Sequence, residues 1–465
     1  MLNGFAIIGS LSGGLLFWLT KGSPIAIVPV VLLIVPTFYF LISKISGGYI
    51  LALLALWAIF IDDISQVAWG REYEAFTELL GITLYESFGI SGLEFLSLLF
   101  SLAALLKLIV EGKKTELISG LKLSLIMSAF FLASFIALFV GLAQGGSLNV
   151  HFIQTRFLHL LPMWSLSAFV FLRGRPVYLL LTGVVVLIFL KSLQAIFIYY
   201  TNQAVFAEAE YLVDHYFSMF SVLAVSLSVA WCLCSKQPLI YKLLALLAQI
   251  PIIWAFVLND RRTAFAAVIF GLFVLIGSLT KRMLLDNRQK LIYLALVVAP
   301  LVFVSIAGPG PLGFFRRTLL SIVEESSELP SYRDLENANL LTAVASRPLT
   351  GLGTGREFEE VYPMPDISFV YDRYRMIPHN LLLAGWAYQG PLGIASLLLM
   401  FSFMLATAVT LFRRNHVYLG VGGIFFLTQY FAFTYADLAL QIPRNQLYAG
   451  LLVGAMYAVL SKDKT

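Results

Sequence analysis

Charge is what this chain has least of. Asp, Glu, Lys and Arg make up 12% of its 465 residues, about half the share found in a soluble domain. So sparse a charged surface excludes an ordinary water-soluble enzyme. Cysteine is nearly missing as well: Cys232 and Cys234 stand together at one end of an apolar run. Two thiols can neither staple a framework nor complete a zinc site unaided, so both read as inert. No basic tail or stripe is present, which removes nucleic acid as a partner. Internal repeats and low-complexity tracts are absent too. The N-terminus lacks a basic leader and a small-residue cleavage site, so its apolar stretch reads as a retained span, not a signal peptide.

Apolar sequence fills the space that charge leaves. The chain is 60% hydrophobic with a mean hydropathy of +0.88, and runs of about 20 apolar residues recur, each able to cross roughly 30 Å of hydrocarbon. The expected fold is all-α: a polytopic integral membrane helix bundle of about 14 transmembrane helices. Their starts fall near Asn3, Pro24, Gly48, Ile90, Ile118, Arg156, Pro176, His215, Pro238, Thr263, Leu291, Pro391, Val417 and Pro443. Residues 1–248 read as an N-terminal transmembrane bundle, 249–415 as a core with a long, partly helical loop over 308–377, and 416–465 as a C-terminal hairpin.

Sidedness follows from the connections. Short basic loops hold Lys44, Lys113 and Lys114, Arg173 and Arg175, Lys236 and Lys242, Lys281 to Lys290, Arg413 and Arg414, and Lys462 and Lys464. By the positive-inside rule these loops and both termini face the cytoplasm. The acidic stretches Asp62 to Ser87 and Thr201 to Asp214 then face out. On this map 12 of 18 arginines lie outside, where the rule should deplete them: Arg71, Arg156, Arg261, Arg262, Arg316, Arg317, Arg333, Arg347, Arg356, Arg373, Arg375 and Arg444. Lysine obeys the rule, with Lys21 alone outside and Lys191 mid-span. Only a guanidinium fork grips phosphate or carboxylate bidentately, so the outer face is expected to hold an anion.

The 308–377 connection is far longer than a usual loop and so reads as functional. Leu335, Ala338, Leu341 and Val344 recur at helical spacing, and Ser331 to Asp334 has a capping-box pattern. Gly351, Gly353 and Gly355 close that helix. Arg262, Arg333 and His379 each stand at an expected helix N-terminus, where unpaired N–H groups and the dipole favour anions. Snorkelling at helix ends is the commoner explanation of a single arginine, but not of the set together. From Pro378 to Gln389 the expected helix is only about 18 Å long, and it breaks at Gly390-Pro391 before a run of spanning length. That short helix should lie at the outer interface and present His379.

These residues resemble the O-antigen ligase and O-antigen polymerase-like family of bacterial envelope glycosyltransferases. The likeness rests on Asp260-Arg261-Arg262-Thr263-Ala264, on Arg333, on Arg347-Pro348-Leu349-Thr350-Gly351-Leu352-Gly353-Thr354-Gly355, and on His379-Asn380 through Gly393. It covers roughly residues 249–411. The arginine motif departs from the family, which more often has a serine before a single arginine, so Arg261 and Arg262 compete for one role; the place before Thr263-Ala264 favours Arg262. The resemblance implies metal-independent, cofactor-free transfer of a glycan from undecaprenyl pyrophosphate to a sugar hydroxyl, on the periplasmic face of the inner membrane. Arg262, Arg333 and Arg261 would bind the pyrophosphate, and fixed positive charge there stabilises the leaving group. His379 would act as base, since imidazole titrates near working pH. Asn380, Arg347 and Asp372 would position substrate.

Other residues carry less. His151, His159 and His215 read as structural or acceptor-contacting. Glu94 and Lys191 are ionisable groups within spans, suspects by default, with a mutual ion pair as the plain alternative. Asp437 and Arg444 read as a structural pair or a substrate contact. Tyr362, Tyr371, Tyr374, Trp386 and Tyr388 could stack on sugars or belong to the interfacial belt. The implied partners are the lipid-linked oligosaccharide donor, a glycan acceptor, membrane lipid and a chain-length regulator. A polymerase would extend a lipid-linked repeat; a ligase would load the lipid A core. The absence of the repeat-like arginine spacing of some polymerases favours a ligase, while the span count, slightly above the dozen expected of ligases, points to a polymerase. A transporter or flippase would gather polar residues near the midplane with repeat symmetry, and neither feature is seen in the sequence.

Overall fold

The structure is a computed structural model. It describes Pro36 and residues 38–40, 46–60, 92–111, 114–201, 215–234, 237–259, 262–279, 332–366, 373–436 and 439–462. Every regular element among these residues is helical. In hydrocarbon a backbone must satisfy its own polar groups, and a helix does so within one segment. In chain order the helices are α1 (Gly47–Phe60), α2 (Gly92–Val110), α3 (Lys114–Met127), α4 (Ala129–Ala143), α5 (Leu148–Thr155), α6 (Leu160–Phe171), α7 (Arg175–Thr201) and α8 (His215–Cys234). There follow α9 (Leu239–Leu247), α10 (Ile250–Leu258), α11 (Arg262–Ser278), α12 (Tyr332–Ser346), α13 (Leu381–Arg413), α14 (Val417–Ala436) and α15 (Pro443–Lys462), with a 3-10 turn at Ala439–Gln441.

Five of these helical stretches are long and apolar enough to cross a membrane, or six if α3 and α4, bent by 55°, form one broken span. The chain is thus a multi-pass membrane protein. The fuller count of about 14 expected from hydropathy is not reached among the described residues. The expected starts near Asn3, Pro24 and Leu291 lie outside them, as do the acidic stretch Asp62 to Ser87 and all of the second one past Thr201.

The core is built around α6, whose residues are almost all buried. It packs on α15, α2 and α3. The contact with α15 is close because Gly450 and Gly454 face it: a Cβ at Gly450 would meet Trp164 Cβ at 2.7 Å, and one at Gly454 would strike Ser165 O. Small residues four apart let two helix backbones approach where no water drives them together. Just before α6, Arg156 donates to both carboxylate oxygens of Glu94 on α2, at 3.2 and 3.0 Å. An ion pair with Lys191 was the plain alternative to a functional role for Glu94, and the partner found here is Arg156. Arg156, one of the arginines assigned to an anion, serves this internal bridge.

The bundle has two distinct ends. At one, α5, α12, residues 347–366 and the start of α13 gather, with Gln441 joined to Gln154 O at 2.7 Å. At the other lie Arg173, Arg413, Arg414 and Lys462, at the far ends of α6, α13 and α15.

Candidate functional site

The first end is organised by the meeting of α12 with the start of α13. Asn380 caps α13, its Oδ1 accepting from Leu383 N–H at 3.1 Å, as short polar caps do. Its Nδ2 donates to Asn337 Oδ1 at 3.1 Å. One residue earlier, His379 sits against Glu336. The His379 backbone N–H donates to Glu336 Oε2 at 3.0 Å, and its Nδ1 lies 3.2 Å from Oε1. A carboxylate offers only acceptors, so Nδ1 carries the hydrogen and a neutral ring keeps its lone pair on Nε2. Glu336 is 1% exposed and the His379 side chain 18%. The Tyr332 ring meets the imidazole edge-on at 5.9 Å. Carboxylate, backbone and phenol together fix the ring's tautomer and tilt. Such an imidazole can take a proton at Nε2 while the carboxylate stabilises the cation that results.

The sequence reading missed Glu336, and the reason is a rotation of the helix. α12 forms where expected, but its buried face is Glu336, Asn339, Leu340 and Ala343, not the stripe through Leu335, Ala338, Leu341 and Val344; Leu341 is 56% exposed. The signal available was a carboxylate in register with Leu340 and Ala343.

Arg333 lies in the first turn of α12, three residues before Glu336, and is exposed. It thus shares the end of α12 that holds His379. Arg347 is also exposed, but it follows Glu336 by eleven residues, roughly 16 Å of helical rise. Arg262 opens α11, as expected, and Gln429 on α14 donates to Ala264 O in that first turn at 2.9 Å. The Arg262 side chain, Asp260, Arg261, Asp372, Tyr371 and Asp437 lie outside the described residues, and so does the His215 side chain.

Beside this corner lies the glycine segment, which does something the motif alone does not reveal. α13 breaks at Gly390, where φ is 63° and ψ −158°. Pro391 has no N–H, so the carbonyl of Ala387 lacks its helical donor. Leu352 N–H supplies it at 2.8 Å, and Gly353 N–H takes Tyr388 O at 2.9 Å. Thr354 N–H bonds Ala137 O at 3.2 Å, its hydroxyl bonds Ser134 O at 2.8 Å, and Gly355 N–H bonds Gln154 Oε1 at 2.7 Å. The segment is a latch joining the break in α13 to α4 and α5. Its close approach requires glycine: a Cβ at Gly351 would lie 2.6 Å from Tyr388 C, and one at Gly353 would strike the Gly141 backbone.

Several expected site residues prove to be part of this framework. His151 pairs through Nδ1 with Thr354 Oγ1 at 2.9 Å, and burial lowers its pKa below the usual histidine value. Arg356 Nη1 donates to Gln144 Oε1 at 2.7 Å, and Arg375 pairs with Glu360 at 2.6 Å. Tyr374 and Tyr388 are buried, and Tyr362 and Trp386 are exposed; Trp386 donates to Pro348 O at 3.1 Å. Among the described residues no three His, Cys, Asp or Glu side chains converge to hold a metal ion.

Residues 245–398, from α9 through the break in α13, match the protein-family model described as O-antigen ligase. This is the family that the arginine, glycine and histidine motifs resembled. No curated protein matches the chain.

Proposed function

With the O-antigen ligase match as premise, we propose that this chain transfers a glycan from an undecaprenyl-pyrophosphate donor to a sugar hydroxyl, at the outer face of a bacterial inner membrane. The observation that carries the proposal is the His379–Glu336 couple, held one turn from Arg333. In the reaction the acceptor hydroxyl attacks the anomeric carbon of the donor and gives its proton to His379 Nε2. The bond from that carbon to the pyrophosphate oxygen breaks, and the pyrophosphate leaves with the electron pair. Arg333 and Arg262 stabilise the charge that develops there, with Arg261 as the alternative to Arg262. Glu336 stabilises the imidazolium, and Asn380 orients the sugar or the ring. Arg347 and Asp372 contact the glycan beyond the reacting centre.

Two acceptors fit this chemistry. The family description names a ligase, whose acceptor is the lipid A core; the expected span count pointed to a polymerase, whose acceptor is a second lipid-linked repeat. Purified protein incubated with lipid-linked oligosaccharide separates them. A ladder of lengthened glycans with donor alone identifies a polymerase. Product formed only when lipid A core is added identifies a ligase. Donor left intact under both conditions overturns the enzyme reading and favours a transporter. Sidedness has its own test: an impermeant thiol reagent outside intact spheroplasts should label Glu359→Cys and spare Asn287→Cys. The opposite pattern would invert the outer-face assignment.

A further inference from the structure

At the end of the bundle away from His379, α3, α6, α13 and α15 leave a cavity of about 500 Å³ between them. That volume would take on the order of 15 water molecules, and the pocket is partly open to its surroundings. Its wall is an aromatic row: Phe169 meets Tyr457 at 5.9 Å, and Tyr457 meets Phe403 at 5.6 Å between ring centroids. Arg173, Arg414 and Lys462 line it against one acid, Glu116. Arg173 is held in place by Glu116 at 3.2 Å, by Phe169 O at 2.7 Å, and by stacking over the Phe169 ring at 5.2 Å. The first turn of α3, with Thr115 and Glu116, also faces the cavity, adding the N–H groups and positive dipole of a helix N-terminus.

Cations at helix C-termini answer the dipole, which accounts for Arg414 and Lys462 one at a time. It does not account for a pocket with an aromatic wall that is lined by three basic residues and one acid, Glu116. A pocket with an aromatic wall and basic side chains beside it matches one occupant in both parts. We propose that this cavity binds an anionic phospholipid, its headgroup phosphate at Arg173, Arg414 and Lys462 and an acyl chain along Phe169, Tyr457 and Phe403. The site is separate from glycan transfer, since it lies at the opposite ends of α13 and α15 from His379 and Gln441.

The test uses full-length protein stripped of lipid in mild detergent, then titrated with phosphatidylglycerol or phosphatidylcholine and read by native mass spectrometry. Wild type should hold phosphatidylglycerol about tenfold more tightly than phosphatidylcholine. Arg414→Gln with Lys462→Gln should erase that tenfold preference, by weakening phosphatidylglycerol about tenfold more than phosphatidylcholine. Ala406→Trp fills the cavity from an exposed position and should abolish retention with every charge intact, which keeps the proposal testable if the double variant unfolds. Equal binding of the two lipids by wild type overturns the proposal. Undiminished phosphatidylglycerol binding by Ala406→Trp overturns it too. Inorganic phosphate that competes as well as the lipid, at equal concentration, would show a simple anion site and overturn the lipid assignment.

Discussion

Two neighbouring parts of the matched segment handle their polar groups in opposite ways. In the latch, residues 351–355 and the break in α13, backbone donors are taken up inside the protein: Leu352 by Ala387, Gly353 by Tyr388, Thr354 by Ala137 and Gly355 by Gln154. At the corner, Glu336 anchors one side of the His379 ring, and Arg333 stands exposed one turn away. A glycine-rich run in an envelope enzyme invites reading as a phosphate cradle. Here its N–H groups hold helices together, and under the proposed function the anion is met by side chains from the corner. Latch substitutions should therefore cost folding, and corner substitutions should cost rate.

The largest expected effect is at His379. His379→Gln keeps hydrogen bonding but removes the base, and turnover of lipid-linked donor should fall by 10²- to 10⁴-fold, the usual contribution of such a group. Expression and donor binding should persist. Near-normal turnover would remove proton transfer from the corner, and Asp372 would become the next residue to test. Glu336→Gln comes second, with a loss of about 10²-fold. The amide can present an N–H to Nδ1 and so favour the wrong tautomer. A wild-type rate in this variant would break the coupling that distinguishes the corner from the latch.

The latch predicts the reverse phenotype. At Gly353, φ is 79° and a Cβ would strike the Gly141 backbone. Gly353→Ala should thus destabilise the protein by about 3 kcal/mol or more, measured as lost folded protein after detergent extraction. Variant protein that folds normally yet fails to bind donor would make the glycine run a ligand loop after all. A smaller effect is expected at Arg333→Lys, on the order of tenfold in rate with normal folding, because an ammonium cannot reproduce a bidentate fork. Unchanged turnover would reduce Arg333 to general positive charge.

How much of this was legible from sequence depends on how far apart the interacting residues stand. Helix α12 and the break at Gly390-Pro391 are written in adjacent residues, and both form where expected; α13 itself begins at Leu381, three residues after the expected start at Pro378, with Asn380 as its cap. The Glu336 contact joins positions 43 apart, and it was hidden because apolar residues alone defined the stripe; the buried face carries a carboxylate and Asn339 because each finds a partner. Asn339 donates to Tyr362 O at 2.8 Å. The Arg156–Glu94 pair spans 62 positions and the latch bonds from Thr354 to Ser134 span 220. Charge sidedness counted Arg156 among anion-binding arginines because it weighs residue type against loop side and knows nothing of pairing.

The smallest effect, and the finest probe of the contrast, is the pH response of His151. The Thr354 hydroxyl hydrogen goes to Ser134 O, so Thr354 Oγ1 accepts from His151 Nδ1. Burial holds the His151 pKa below its ordinary 6.5 in the folded protein. The unfolded chain therefore binds a proton that the folded one resists, and stability must fall as pH drops below about 6.5. Above that value both states are neutral at this residue and it adds no slope. Thermal unfolding in detergent should show the midpoint declining on acidification, with a shallower decline in His151→Gln. An acid slope as steep in His151→Gln as in wild type would assign the response to other groups and leave the latch without a titrating member.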